Sequence, residues 1–281
     1  MSRQARVENR IIGLVPTMGA LHEGHISLVA RAKKECSPLI ASIFVNPKQF
    51  GPNEDFAKYP RAFESDSEKL KQAGADALFA PEAADIYPKD FSTYVHLEGL
   101  SERLEGKSRP GHFRGVATVV MKLLQIVQPH RAYFGRKDAQ QARLITQMAR
   151  DLSLDSEIVV CPIVREPDGL ALSSRNVYLN PDERKAATVL YRALAAAKSE
   201  LARGVRDAKE LQDVLRRTLS KQHLATVDYA EIVDAESFEP VVRIGKACYL
   251  LLAVFFGKTR LIDNLYVEPK APDSDDLVFH L

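Results

Sequence analysis

The sequence predicts an α/β protein with a parallel sheet covered by helices on both faces, followed by a smaller α+β domain. Three observations predict this class. Short apolar runs alternate with segments of helical spacing up to about residue 165, glycine, proline or asparagine bounds many of these segments, and the pattern changes after Asp168-Gly169. Such alternation is typical of parallel strands joined by crossover helices.

The elements of the first domain follow from the spacing of apolar residues. The run over residues 11–15 predicts a buried strand that Pro16 stops. By the same reasoning, further strands are predicted over residues 39–45, 77–79, 131–134 and 157–164, and helices over residues 24–34, 61–72, 113–127 and 139–151. Ligands of such sheets bind at the carboxyl ends of the strands.

A different order of elements is predicted for the second domain. Two segments rich in Ala, Leu, Lys and Arg predict helices over residues 181–203 and 207–222, and strands are predicted over 226–233, 247–256 and 260–267. The turn residues Glu166-Pro167-Asp168-Gly169 mark the boundary, which gives domains 1–165 and 166–281. We expect the tail after Pro269, which contains Pro272, Asp273, Asp275 and Asp276, to be partly mobile.

Composition and charge exclude several classes of protein. With 39 Lys and Arg against 37 Asp and Glu, the net charge of +2 creates no field that attracts nucleic acid or a membrane surface. Cys36, Cys161 and Cys248 lie far apart and are odd in number, so neither disulfides nor a thiolate metal site is predicted. No apolar stretch approaches the roughly 18 residues of a membrane span. We therefore expect a cytoplasmic protein without nucleic-acid or membrane partners.

Two histidines follow the first predicted strand in the string PTMGALHEGH. His22 and His25 stand at the start of a helix, and Gly19 and Gly24 allow close approach of the backbone. The amides and dipole of a helix N-terminus favour an anion, and both imidazoles can donate to phosphate oxygens. The pattern predicts a phosphate site. Two alternatives stay open, a pair of structural histidines and a zinc site, although HEGH is not HExxH and no third ligand is near.

Two common nucleotide-binding signatures are not found in the sequence. Gly257-Lys258-Thr259 imitates the end of a P-loop, but Leu252 occupies the position of its first glycine, and a strand-like run follows where a helix should begin. The dinucleotide fingerprint GxGxxG is also missing. An adenine nucleotide would have to be bound in another way.

Three further clusters place polar side chains in predicted loops. NPKQFGPN, residues 46–53, follows the second strand, and its amides can hold both a carboxylate and a hydroxyl; RPGHFRG, residues 109–115, precedes a helix. In GRKDAQQ, residues 135–141, Lys137 can meet a phosphate, Asp138 can accept from a ribose hydroxyl, and Gln141 lies one turn further on. The alternatives are a turn-rich loop and a solvated helix cap.

The fourth cluster, LALSSRN at residues 170–176, lies just beyond the proposed domain boundary. Its two serines and its arginine can clamp triphosphate oxygens. From this position the small domain could close over ATP and exclude water from a reactive intermediate.

Taken in order, these segments resemble the pantoate–β-alanine ligase family, whose histidine motif is shared with the wider HxGH nucleotidylyltransferase superfamily. The resemblance is carried by PTMGALHEGH, SIFVNPKQFGPNEDFAKYPR, RPGHFRGVATVV, YFGRKDAQQ, VREPDGLALSSRN and KTRLIDN. It implies a Rossmann-like first domain, a homodimer, and ligation of (R)-pantoate with β-alanine through a pantoyl-adenylate, with release of pyrophosphate and AMP. ATP is then a substrate, and Mg²⁺ is held mainly by its phosphates. Arg136 and Ala139 depart from the acidic and aromatic residues that are usual there.

The resemblance also implies roles for single residues. His22, His25 and Lys137 are the catalytic residues, with His25 as proton donor. The implied ATP site consists of Met18, Gly19, Ala20, Leu21, His22, Glu23, Gly24, His25, Gly135, Arg136, Lys137, Asp138, Val164, Leu172, Ser173, Ser174 and Arg175. The implied pantoate site consists of Asn46, Gln49, Arg109 and Gln141, and β-alanine also binds at Gln49.

Two other functions are compatible with the histidine motif alone. A nucleotidylyltransferase would transfer AMP to a phosphorylated acceptor and would keep AMP in its product. A silent nucleotide-binding protein would have no need of Gln49 and Gln141. The ligase is the function that uses all four clusters.

Overall fold

The computed structural model describes residues 1–52, 54–271, 274 and 276–281 of the chain. The chain divides into two compact units, Met1–Cys161 and Pro162–Leu281. Each unit has its own sheet, with five strands described in the first and four in the second.

The first unit contains a wholly parallel sheet. Its strands are β1 (Gly13–Thr17), β2 (Leu39–Ile43), β3 (Ala77–Phe79), β4 (Arg131–Gly135) and β5 (Glu157–Cys161), in the order β3-β2-β1-β4-β5. The chain proceeds from β1 outward to β3 and then returns to the other side of β1 for β4. The crevice between the carboxyl ends of β1 and β4 is therefore the topological switch point, where doubly wound sheets bind ligands.

Helices cover both faces of this sheet. The described helices are α1 (Ser2–Val7), α2 (Glu23–Glu35), α3 (Phe63–Gln72), α4 (Ala83–Ile86), α5 (Glu105–Ser108), α6 (His112–Val127) and α7 (Ala139–Asp151). Val15 and Ala41 are buried in one apolar cluster with residues of α2 and α3. Leu14 and Ile40 point to the opposite face and are also buried, and α6 packs against β1. The predicted fold class is confirmed.

Pro16 does not stop the first strand as predicted, because β1 runs through it to Thr17. Alternate residues of a strand direct their N–H and C=O groups to opposite neighbours. The carbonyl of Thr17 faces β2, where it accepts from Phe44, so Pro16 faces β4. The pairing of β1 with β4 extends only to Leu14, and the missing N–H of Pro16 therefore lies beyond the end of that ladder.

The second unit is an antiparallel sheet with helices. It contains α8 (Pro181–Ala187), α9 (Val189–Ala202) and α10 (Ala208–Ser220), and the strands β6 (Ala225–Asp234), β7 (Cys248–Phe256), β8 (Thr259–Pro269) and β9 (Leu277–His280) in sequential order. The smaller α+β domain is confirmed. Gly257 lies in the turn between β7 and β8 at φ +57°, so the rejection of a P-loop there is also confirmed.

Two features of the second unit differ from the prediction. The helix predicted over residues 181–203 breaks at Thr188, whose hydroxyl donates to the carbonyl of Lys185 at 2.8 Å and competes with the helix ladder. Strand β9 was not predicted. Its four residues show no clear hydrophobic period, and its pairing with β8 arises only in the tertiary structure. Of the tail predicted to be mobile, Pro272, Asp273 and Asp275 lie outside the described residues.

The turn predicted at Glu166-Pro167-Asp168-Gly169 is present within the second unit. Gly169 adopts φ +92°, and a Cβ there would lie 2.3 Å from the ring of Tyr191. Arg165, which precedes the turn, donates two hydrogen bonds to the Asp263 carboxylate at 2.7 and 2.9 Å. Asp263 is 2% exposed, so this ion pair ties the hairpin to β8 inside the core.

Replacing Asp263 with asparagine is expected to destabilise the second unit by about 3 kcal/mol or more, because Arg165 would keep a buried charge without its counter-ion. The measurement is the free energy of opening of β7 and β8 from amide hydrogen exchange. Glu200→Gln is the matched control, since Glu200 pairs with the exposed Arg203 on α9 and its loss should cost less than about 1 kcal/mol. If both substitutions lower the free energy of opening equally, the buried ion pair does not stabilise the second unit more than the exposed pair does.

Candidate active site

Many of the predicted site residues of the first unit lie in three loops at the carboxyl edge of the parallel sheet. Residues 18–22 follow β1, residues 46–49 follow β2, and residues 136–138 follow β4. Because β2, β1 and β4 are adjacent and parallel, these loops meet at one edge, with the first and third on either side of the switch point.

The loop after β1 is held in an unusual conformation by a residue that the sequence analysis did not identify. Gly19 and Ala20 have positive φ angles of 81° and 51°. The buried Asp66 carboxylate of α3 accepts from the amides of Ala20 at 2.7 Å and Leu21 at 2.9 Å. Since these two amide protons are directed to Asp66, any contact of Ala20 or Leu21 with ATP would have to use other atoms. Lys69 adds a bond to the Leu21 carbonyl at 2.8 Å.

His22 and His25 cap the start of α2 reciprocally. The Nδ1 of His22 accepts from the amide of Gly24 at 3.2 Å, and the Nδ1 of His25 accepts from the amide of His22 at 3.3 Å. A ring nitrogen that accepts carries no proton, so each neutral imidazole has its proton on Nε2. The ring centroids lie 4.1 Å apart. The site thus offers two neighbouring N–H donors at a helix N-terminus, where an anion is favoured.

Both imidazoles are neutral at physiological pH. Burial, followed by the charges of His25 and Lys137, lowers the pKa of His22 to about 3, against the opposing effect of Asp138. Burial, followed by the charges of Lys137 and Lys69, lowers the pKa of His25 to about 4. A negatively charged ligand would offset these positive charges, so its arrival raises the tendency of both rings to take up a proton.

The segment after β4 brings the predicted cation to the histidines. A 3₁₀ turn over Arg136–Asp138 leads directly into α7, and the Lys137 ammonium lies 3.7 Å from the Asp138 carboxylate. The charge of Lys137 acts on both His22 and His25, which places it on the same site. Gln141 lies in the first turn of α7, and its side chain makes no hydrogen bond within the described part of the chain.

The loop after β2 presents a buried glutamine to the loop after β1. The Nε2 of Gln49 donates to the sulfur of Met18 at 2.9 Å, and its Oε1 accepts from Asn46 at 3.0 Å. Asn46 also donates to the carbonyl of Gly115 and accepts from the Tyr87 hydroxyl and the Lys48 amide. Asn46 is 1% exposed, and these contacts make it a support for Gln49.

Arg109 lies beside this loop in a chain of polar contacts. The Glu54 carboxylate accepts hydrogen bonds from the Nε of Arg109 at 2.6 Å and from the Nη2 of Arg109 at 2.8 Å. The third guanidinium nitrogen of Arg109 is turned to His112. This nitrogen, Nη1, lies 3.0 Å from Nε2 of His112, and Nδ1 of His112 lies 2.8 Å from the carbonyl oxygen of Gln49. The structure therefore joins two predicted substrate residues, Gln49 and Arg109, through a histidine to which the sequence analysis gave no role.

The remaining predicted ATP residues belong to the second unit. Val164 accepts from the amide of Leu172 at 3.0 Å across the hairpin. Ser173 caps the 3₁₀ turn Ser174–Tyr178, because its hydroxyl accepts from the amide of Arg175 at 3.3 Å. As an acceptor in this bond, the Ser173 hydroxyl keeps its proton for a further partner.

Among the described residues, no group of three or more histidines, cysteines or carboxylates is arranged to hold a metal ion. Within the same part of the chain, every helix is too short or too polar to span a lipid bilayer.

Comparison with known proteins agrees with this geometry. The family model described as pantoate-beta-alanine ligase matches residues 1–266. The chain belongs to the pantoate-beta-alanine ligase family. The resemblance inferred from the ordered motifs is confirmed, and with it the prediction that the chain is an enzyme of this family.

Relatives within the ligase family are similar over almost their whole length. A pantothenate synthetase of Thermotoga neapolitana is 54% identical over 263 residues, which cover 94% of each chain. One of Caldicellulosiruptor bescii is 52% identical over 270 residues, which cover 96% of each chain.

Solved structures of pantoate-beta-alanine ligases share the fold. The crystal structure of pantothenate synthetase from Thermus thermophilus has a TM-score of 0.89 and 46% identity, covering 94% of this chain and 96% of its own. The ligase of Francisella tularensis, in complex with beta-gamma ATP and beta-alanine, has a TM-score of 0.75 and 39% identity, covering 93% of this chain and 92% of its own.

Proposed function

We propose that this enzyme joins (R)-pantoate to β-alanine with ATP, through a pantoyl-adenylate. The observation that carries the proposal is the histidine pair at the switch point, with both Nε2–H groups free of the caps and Lys137 beside them. Family membership and the ATP and β-alanine bound to the Francisella tularensis ligase support the choice of substrates.

The first step places new charge where the site is positive. An oxygen of the pantoate carboxylate attacks the α-phosphorus of ATP, and the bond to the bridging oxygen breaks, so that pyrophosphate leaves with the electron pair. We propose that His22 and Lys137 hold the departing phosphates and that the Nε2–H of His25 donates a hydrogen bond to them. Donors that are already oriented stabilise such charge without reorganisation, which is the main source of rate enhancement in sites of this kind.

The second step needs positioning more than acid–base chemistry. The β-alanine amine attacks the acyl carbon of the adenylate, the carbon–oxygen bond to AMP breaks, and the amine loses a proton. Gln49 would hold pantoate together with Gln141 and would also contact β-alanine, while Asn46 and Arg109 complete the pocket. Holding two reactants in alignment can lower the barrier by roughly 7–11 kcal/mol.

Further parts of the proposal concern the second unit and the assembly. We propose an ATP/pantoate-binding domain over residues 1–165 and a lid domain over residues 166–281, with Val164, Leu172, Ser173, Ser174 and Arg175 binding ATP. Residues 18–25 and 135–138 complete the ATP site. Mg²⁺ would enter on the phosphate oxygens of ATP, its preferred ligands in such enzymes. A cytoplasmic homodimer is the proposed working form.

Isotope exchange between pyrophosphate and ATP tests the proposed reaction. We expect exchange to require pantoate, and AMP release to require β-alanine in addition. Exchange without pantoate would contradict the adenylate. A product that retains AMP would identify a nucleotidylyltransferase instead.

Gln49→Ala is expected to weaken pantoate binding by about tenfold or more, because a charge-assisted hydrogen bond to a carboxylate contributes roughly 1.5–3 kcal/mol. Isothermal titration calorimetry with pantoate measures this affinity. Gln72→Ala, at an exposed position of α3, is the control and should bind pantoate as the wild type does. Unchanged affinity in the Gln49 variant would remove Gln49 from the pantoate site.

A further inference from the structure

His112 uses both ring nitrogens to connect the backbone carbonyl of Gln49 with the guanidinium of Arg109. It lies at the start of α6 and is 9% exposed. A carbonyl oxygen only accepts and a guanidinium only donates. The contacts of 2.8 Å to Gln49 and 3.0 Å to Arg109 therefore require a neutral ring with its proton on Nδ1.

The surroundings of His112 keep the ring neutral. Burial and then the charge of Arg109 lower the pKa of His112 to about 4, while the Gln49 carbonyl, Glu105 and Glu54 act in the opposite direction. A protonated ring could not accept from Arg109, so the contact exists only in the neutral form. The ring also lies 5.0 Å from Phe113, measured between centroids.

Each end of the connection is fixed by a second contact. The Arg109 guanidinium is held from its other side by both carboxylate oxygens of Glu54. At the opposite end, the Gln49 side chain is oriented by Met18 and Asn46. His112 is thus the only described side chain that bonds to both Gln49 and Arg109, and a shift of its ring changes their separation.

We propose that His112 is a positioning residue of the ligation reaction, which sets Gln49 and Arg109 at the spacing that the carboxylate and hydroxyl of pantoate require. This inference rests on the proposed function, since it needs the Gln49 pocket to be the pantoate site. His112 acts through its two neighbours and not by contact with the reacting atoms.

Three substitutions of His112 test its contact with Gln49 and its contact with Arg109 separately. His112→Asn keeps a donor near the position of Nδ1, His112→Gln keeps an acceptor near the position of Nε2, and His112→Phe keeps the ring without either. We expect the phenylalanine variant to raise KM for pantoate by about tenfold or more while KM for ATP stays within about twofold, and each amide variant to recover part of the loss. His223→Gln, at an exposed position, is the control.

The outcomes distinguish the inference from the proposed function. A wild-type protein without pantoate-dependent exchange would overturn the proposed function and the inference with it. Normal wild-type exchange with unchanged KM for pantoate in all three variants would overturn the inference alone. Equal increases of both KM values would also overturn it, because they indicate a general structural role. If the phenylalanine variant fails to fold, the two amide variants carry the same test.

Discussion

Replacing His25 or Lys137 with alanine is expected to lower the rate of adenylate formation by roughly 10²–10³-fold, the scale for loss of one preorganised charge-stabilising group. Substitution of His25 removes the donor at Nε2, and substitution of Lys137 removes the cation whose charge acts on both imidazoles. Both residues are proposed to stabilise charge that develops in the transition state, so kcat should fall more than KM for ATP rises. Single-turnover formation of the adenylate under rapid quench measures the chemical step directly.

The controls for this experiment are two exposed residues of the second unit. His223→Ala and Lys221→Ala remove the same side-chain types at exposed positions to which no role in the reaction is assigned, and they should form the adenylate at the wild-type rate. Near-normal single-turnover rates in the His25 or Lys137 variant would refute the role given to that residue.

Gly115→Ala is expected to raise KM for pantoate by about tenfold to a hundredfold, since a displacement of about 1 Å at a reacting group can cost that much. A Cβ at residue 115 would lie 2.2 Å from the carbonyl oxygen of Lys48 and 2.6 Å from the amide of Gln49. The contacted atoms are backbone, so the turn must move away from α6. That movement carries Gln49 and Asn46 with it, and overpacking adds about 1–3 kcal/mol of destabilisation.

Gly245→Ala is the matched control for Gly115. A Cβ at residue 245 meets no atom within 4 Å, so this substitution should change neither KM nor stability measurably. Steady-state kinetics with pantoate varied, together with thermal unfolding, provide the comparison. A Gly115 variant with wild-type KM for pantoate would show that the position of Gln49 does not depend on its packing against α6.

Much of the fold could be predicted because its signals are local. The period of apolar residues and the turn residues that bound each run placed β3 and α7 at their observed limits and most other elements of the first sheet within a few residues. Pro16 shows where local reasoning fails, since the direction of its missing N–H depends on where the β1–β4 ladder ends. Strand β9 likewise depends on a partner that the sequence does not mark.

The candidate site likewise contains some residues that local sequence signals indicate and others that they do not. The placement of His22, His25 and Lys137 at one edge of the parallel sheet could be predicted, because the order of strands and helices puts strand–helix junctions there. The residues that hold the loops after β1 and β2 in place could not be predicted. Asp66 bonds to an amide 46 residues away, and His112 bonds to a carbonyl 63 residues away. No periodicity or motif identifies such partners, because the contacts exist only after the sheet and helices have packed together.

A crystal structure with pantoate and a non-hydrolysable ATP analogue tests the central claim most directly. We predict triphosphate oxygens within hydrogen-bond distance of Nε2 of His22 and His25 and of the Lys137 ammonium, with the pantoate carboxylate facing the α-phosphorus between Gln49 and Gln141. A triphosphate bound away from the start of α2, or pantoate bound without contact to Gln49, would contradict the account.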